Sequence, residues 1–183
     1  MDGLVAHRRA QDAFARVLAD VTDTMLDETT PCEGWRVRDV IHHVIGGNAR
    51  VAGEPGPVGA SADDLRGAHA ASAHAAASAF AAPDGLTRTF DAPLGAIPGA
   101  IFIRLRITDA LTHAWDVATA TGRSTSDLDP DLAAAMLDFA RGLMRPELRG
   151  PGRAFAAEQP CPDDASAVDR LAAFLGRRPA ALG

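Results

Sequence analysis

Apolar positions recur at helical spacing along nearly the whole chain. Phe14, Val17, Leu18, Val21 and Met25 stand at i, i+3, i+4, i+7 and i+11. They form the stripe of an amphipathic helix over about residues 4–27. Thr29-Thr30-Pro31 breaks that period. After Trp35 a second stripe runs through Val37, Val40, Ile41, Val44, Asn48 and Val51, and Gly53-Glu54-Pro55-Gly56-Pro57 ends it. Ser61 with Asp64 three residues on has the form of a capping box and predicts a third helix reaching about Ala82. That helix has little except alanine to bury, so close packing is expected of it. Three prolines and several glycines between Pro83 and Pro98 allow a short extended segment in TRTFDAPLG but argue against a full strand. A fourth helix is expected from about Ala100 to Thr121, stopping at Gly122. Asp129-Pro130 starts a fifth that fades near Pro146, and Pro162-Asp163-Asp164 opens a last one that closes at Gly176. The expectation is an all-α chain forming one domain over residues 1–183. Its four-helix core spans about 4–122 and its C-terminal helical extension about 126–183.

The fourth helix is the informative one. Ile101, Ile103, Ile107, Leu111, Ala114, Trp115 and Ala118 cover much of its circumference, which predicts a central, mostly buried helix. Yet Asp109, Thr112, His113 and Asp116 fall within roughly 60° of their mean direction at 100° per residue. A carboxylate is costly to bury unless it is paired or bound to a metal. Asp109 and His113, at i and i+4, lie one above the other and could give two ligands to a divalent cation. The plain alternative is an ordinary helix ion pair. A third ligand would come from His42 or His43 on the second helix, and periodicity leaves both open, since they flank the apolar stripe on opposite sides. His43 has Gly47 one turn on, which leaves room beside its ring.

Composition narrows the classes. The chain has 183 residues, 47% hydrophobic and 23% charged, with a net charge of -6. At that length roughly 70% of the unfolded surface can be buried. The acidic balance argues against nucleic acid or an anionic membrane as a partner. Two cysteines, Cys32 and Cys161, are too few for a disulfide framework. Neither a signal peptide nor a membrane-spanning run is read, so a cytoplasmic location is expected. All 18 basic residues are arginine and tyrosine is absent, so neither a lysine Schiff base nor a phenol is available for chemistry. Cys32, ahead of the second helix, is either a thiol activated by a helix N-terminus or a small buried apolar group. His7, His69 and His74 are expected at the surface, and Arg8-Arg9 and Arg177-Arg178 in solvent. No phosphate-cradling glycine loop and no nucleophile elbow is present.

Three motifs resemble one known family. Thr30-Pro31-Cys32-Glu33-Gly34-Trp35, followed by Val37-Arg38-Asp39-Val40 and His43-Val44, resembles the second-helix signature of the mycothiol-dependent maleylpyruvate isomerase-like family. That family belongs to the DinB-like four-helix superfamily. His113-Ala114-Trp115-Asp116-Val117-Ala118 with Ala120-Thr121-Gly122 resembles its fourth-helix signature, and Arg170 to Arg177 with Pro179 is similar to the ending of an actinobacterial branch. The resemblance implies an up-down-down-up bundle holding a divalent metal, zinc first and nickel as the alternative. It places the metal ligands on His43, Asp109 and His113, with Asp116 orienting a ligand from behind. The family commonly carries Glu where this chain has Asp109, so ligation directly or through a water both stay open. It further implies a mycothiol-like thiol cofactor, activated as thiolate, acting on an electrophilic small molecule. The isomerase's larger C-terminal domain has no clear counterpart here and its catalytic arginine cannot be placed on Arg104 or Arg106. Only the metal-and-thiol chemistry is therefore implied, for transferase or isomerase action. The alternatives are a non-catalytic metal-binding stress or detoxification protein and an interaction module with a degraded site. Alanine-rich bundle faces also leave a homodimer open.

Overall fold

The computed structural model describes residues 1–56, 61–92, 95–126, 128–150, 156–162 and 164–179. Six α-helices carry the fold: α1 (Gly3–Ala19), α2 (Val37–Ala52), α3 (Ala62–Ala81), α4 (Gly99–Ala120), α5 (Pro130–Leu143) and α6 (Ala167–Phe174). α1 packs on α3 and α4, and α2 on the same two helices, giving a four-helix bundle. α5 and α6 pack on each other and on α4, so α4 is shared by both layers. Its residues from Ala110 to Ala118 are all buried, as the apolar circumference predicts, while Ile101 at its start is half-buried.

Local signals account for most boundaries. Asp2 caps α1 through Leu4 and Val5, and Ser61 and Asp64 form the expected reciprocal capping box on α3. Asp129 caps α5 by accepting from the Leu132 amide, with Pro130 at the first helical position. Arg9 binds the same Asp129 through two bonds of 2.8 and 2.6 Å, so it ties α1 to α5 while its side chain keeps substantial contact with solvent. Arg8 is exposed as expected.

Three expectations need correction. The first helix ends at Ala19, not near residue 27, because the chain turns extended at Thr22 and re-enters as a 3-10 turn over Asp23–Asp27. The last helix starts at Ala167, capped by Ser166. Pro162 precedes it in a turn and Asp163 lies outside the described residues. The segment expected to hold no full strand forms an antiparallel hairpin, β1 (Thr89–Ala92) with β2 (Gly95–Pro98). It buries Phe90 against Phe80 and Phe102, at centroid distances of 5.6 and 5.0 Å, and so closes one end of the bundle.

The bundle interior also holds polar groups that were expected outside. His7 and His69 are 1% and 2% exposed, whereas His74 is exposed as expected. His69 Nε2 lies 3.0 Å from Gln11 Oε1, and Asn48 Nδ2 donates to that oxygen at 2.9 Å. His7 packs edge-on to Phe80 and neither ring nitrogen has a partner among the described residues. Burial holds both imidazoles down at about 4, with Arg106 and His69 lowering His7 further. The unfolded chain therefore takes up these protons first as pH falls below 6.5. Stability is full above that value and is lost through the window down to about 4. Urea unfolding should show a loss of about 2 kcal/mol per histidine between pH 7 and pH 5. His7→Leu should remove about half of that slope. An unchanged pH dependence in the variant would contradict the assignment.

Candidate metal centre

α2 and α4 bring three of the expected residues together. Asp109 Oδ1 lies 3.0 Å from His43 Nε2 and 3.6 Å from His113 Nε2. One ligand atom from each of the three residues lies within 4.8 Å of the others. Ligand atoms 2.0–2.1 Å from a shared tetrahedral ion stand roughly 3.3 Å apart, so the two distances to Asp109 bracket what a metal requires. The residues present thus fit a divalent ion after a small closure between the two imidazoles. Asp109 Oδ1 is within hydrogen-bond distance of His43 Nε2, so the shorter carboxylate arm reaches across from α4 to the α2 histidine. The cluster is reachable from solvent, with the His43 side chain 39% exposed and that of Asp109 25%.

His42, the other candidate on α2, is half-buried and does not join the cluster. Thr112 turns back on its own helix, donating to the Thr108 carbonyl at 2.8 Å. The room beside Gly47 is taken by the Arg106 guanidinium and not by the His43 ring.

Behind the cluster, Asp116 fixes His113. Its Oδ2 lies 2.9 Å from His113 Nδ1. Burial alone would raise the Asp116 carboxyl, but hydrogen bonds from His113 and Arg177 and the charge of Arg177 hold it below the ordinary carboxylate range. An ionised carboxylate only accepts, so Nδ1 carries a proton, and Nε2 is the ring atom turned towards Asp109. Arg177 completes this arrangement through Nε to Oδ1 at 3.1 Å and Nη2 to Oδ2 at 2.8 Å. That side chain was expected in solvent. It reaches back from just beyond α6, where Trp115 Nε1 bonds Asp169 at 2.8 Å and seats α6 on α4. Arg178 is exposed as expected.

Asp109 is held in the same way. Burial pushes its carboxyl up, but the Arg106 charge, His113 and the hydrogen bond to His43 drive it well below the carboxylate range. Arg106 Nη1 donates to Asp109 Oδ2 at 2.9 Å, leaving Oδ1 to the histidines.

The Thr30–Trp35 turn supplies a wall. Thr30 donates through Oγ1 to the Trp35 carbonyl at 2.9 Å and through its amide to the same oxygen at 3.0 Å, with Gly34 at φ +79°. Trp35 is thereby stacked parallel to His113 at 5.8 Å and edge-on to His43 at 4.9 Å. Cys32 in this turn is half-buried. Burial, with Asp116 and Asp109, pushes its thiol up despite Arg177, so an activated thiol is not what the turn provides.

Arg106 and Arg177 are the side chains around the cluster that sequence reasoning missed, Arg106 without a placed role and Arg177 expected in solvent. A buried carboxylate needs a cation, and Asp116 on a core helix signalled that one was due, but not from which part of the chain. Among the described residues no helix is long and apolar enough to cross a membrane.

A family model described as the mycothiol maleylpyruvate isomerase N-terminal domain matches residues 7–65, a span that includes Trp35 and His43. Two uncharacterised proteins of Mycobacterium tuberculosis, one from strain CDC 1551 / Oshkosh and one from strain ATCC 25618 / H37Rv, are each 54% identical over 180 residues. The alignments cover 97% of this chain and 98% of each relative. Among solved structures, the mycothiol-dependent maleylpyruvate isomerase superposes with a TM-score of 0.55 at 19% identity, over 74% of this chain and 68% of that one. A histidine-to-alanine mutant of that enzyme gives 0.53 at the same identity and coverage. The shared feature is the DinB-like helical fold expected from the motifs.

Removing one partner of a buried ion pair leaves the other charge stranded. Arg177→Met should therefore cost about 3–5 kcal/mol of unfolding free energy at pH 7, measured by urea titration. A cost within the surface range of about 0.5 kcal/mol would contradict the buried clamp.

Proposed function

The chain belongs to the mycothiol-dependent maleylpyruvate isomerase-like family, and on that premise we propose that it is a metal-dependent enzyme. It brings a low-molecular-weight thiol, mycothiol or a close analogue, to an electrophilic small molecule for transferase or isomerase chemistry. The observation that carries this reading is the convergence of His43 Nε2, Asp109 Oδ1 and His113 Nε2 at a solvent-reachable place between the middles of α2 and α4.

His43, Asp109 and His113 would hold the ion as three protein ligands, the number that leaves a position open for an exogenous group. The donor set of two imidazoles and one carboxylate suits zinc, with nickel as the second choice. A divalent metal bound there supplies Lewis acidity that favours the thiolate form of a thiol at neutral pH. The chain's own residues do the positioning. Asp116 keeps the His113 proton on Nδ1, so Nε2 is free to donate its lone pair. Trp35 restricts both rings and screens one side of the cluster from water.

Elemental analysis of an untagged preparation tests the reading. Wild type should carry roughly one divalent ion per chain, and His113→Ala should lose it. The loaded protein should then consume a model electrophile only when thiol and metal are both present. Metal without thiol-dependent turnover would point to sequestration instead. No metal after incubation with zinc or nickel would remove the catalytic reading and leave an interaction module.

A further inference from the structure

Arg106 is a puzzle on energetic grounds. It is 6% exposed, on the buried face of α4, and its Nε has no partner among the described residues. Its guanidinium is otherwise spent on the interior: Nη2 donates to the Val44 carbonyl at 3.2 Å and lies 3.5 Å from Asn48 Oδ1, while Nη1 donates to Asp109 Oδ2. Asp109 is its one ion-pair partner among the described residues. Burying a cation for a single, quarter-exposed carboxylate is a poor route to stability.

The surroundings show that the cation is accommodated deliberately. A Cβ at position 47 would overlap Nη1, Cζ and Nη2 of Arg106, so only glycine leaves this socket on α2. Asn48, next in the chain, is itself fixed by Gln11, which contacts His69. A seam of polar side chains from α1, α2 and α3 thus backs the guanidinium from the side away from Asp109.

We propose that Arg106, seated in the Gly47 socket, is a positioning residue that occupies Asp109 Oδ2 and so presents Oδ1 alone to the metal. A free carboxylate can rotate or chelate through both oxygens. With Oδ2 tied to Nη1, Asp109 offers one atom, at the spacing the two histidines need. This also explains how an aspartate serves here: the guanidinium fixes the rotation of a shorter arm that would otherwise have to find its place. The inference rests on the metal reading of the cluster.

Cobalt(II) is the probe, because a four-coordinate ion lacks a centre of symmetry and absorbs far more strongly in the visible than a six-coordinate one. Wild type should bind cobalt with intense bands. Arg106→Met and Gly47→Ala, each checked for folding by thermal unfolding, should show bands weakened several-fold or weaker binding. The second variant keeps the arginine but expels it from the socket, and asks only the far end of a flexible side chain to move. Charge alone predicts the opposite for Arg106→Met, since deleting a neighbouring cation tightens metal binding. Tighter binding with an unaltered spectrum would therefore overturn the proposal, as would unchanged cobalt behaviour in Gly47→Ala. Failure of wild type to bind cobalt at all would instead strike the metal reading, and this proposal with it.

Discussion

Four ionisable groups on the inward face of α4 set the terms for the rest of the molecule. Arg106, Asp109, His113 and Asp116 are carried within three helical turns, and three of the four are buried. Each would be expensive alone in a bundle core. They are tolerated because every group meets a polar partner: Arg106 with Asp109, Asp109 with two imidazoles, His113 with Asp116, and Asp116 with Arg177. Such a chain of pairs has two ends, and the fold must supply what lies at each. At one end α2 offers glycine at 47, and at the other the chain must return after α6 to bring Arg177 home.

This constraint gives the C-terminal segment a part in the site. α5 and α6 bury apolar residues against α4 as any added layer would. The layer also carries Arg177, which neutralises a carboxylate that is 0% exposed. Through Asp116 the position of that arginine bears on the tautomer of His113. The turn ahead of α2 acts on the same ring from the other side, because Trp35 lies parallel to it. His113 is therefore fixed by three separated stretches of chain, the arrangement expected where a ligand's orientation matters.

Helical periodicity made most of the fold legible. The stripes of α1, α2 and α4 and the capping residues Ser61 and Asp129 identified five elements with ends correct to a few residues, apart from the end of α1. Periodicity was silent wherever a side chain's partner lies far off in sequence. His7 and His69 carry no mark that distinguishes a buried neutral imidazole from a solvated one, and their burial depends on Gln11, Asn48 and Phe80 meeting them across the bundle. The hairpin was missed because its stability comes from packing Phe90 on Phe80 and Phe102, not from a strand-forming run. For the site, the pattern on α4 exposed the cost of Asp109 and Asp116. The choice of His43 over His42 needed the family motif, and it is His43 that the structure brings beside Asp109 and His113. Arg106 and Arg177 were hidden because arginine is the only basic residue in the chain, so neither stood out from those that meet solvent.

The exchange of a glutamate for Asp109 looks at first like a site in decay, and the geometry argues against that. A degraded metal site in a bundle core should lose its charges, since each unpaired one costs more than an apolar replacement. Here the opposite holds. Arg106 is buried against Asp109, Gly47 makes room for it, and Asp116 is hydrogen-bonded behind His113. None of these features improves a plain hydrophobic core, and all of them constrain where the three ligand atoms sit. A shorter carboxylate with a tighter anchor is a change in how the carboxylate is held, and it leaves Asp109 Oδ1 within reach of both imidazoles.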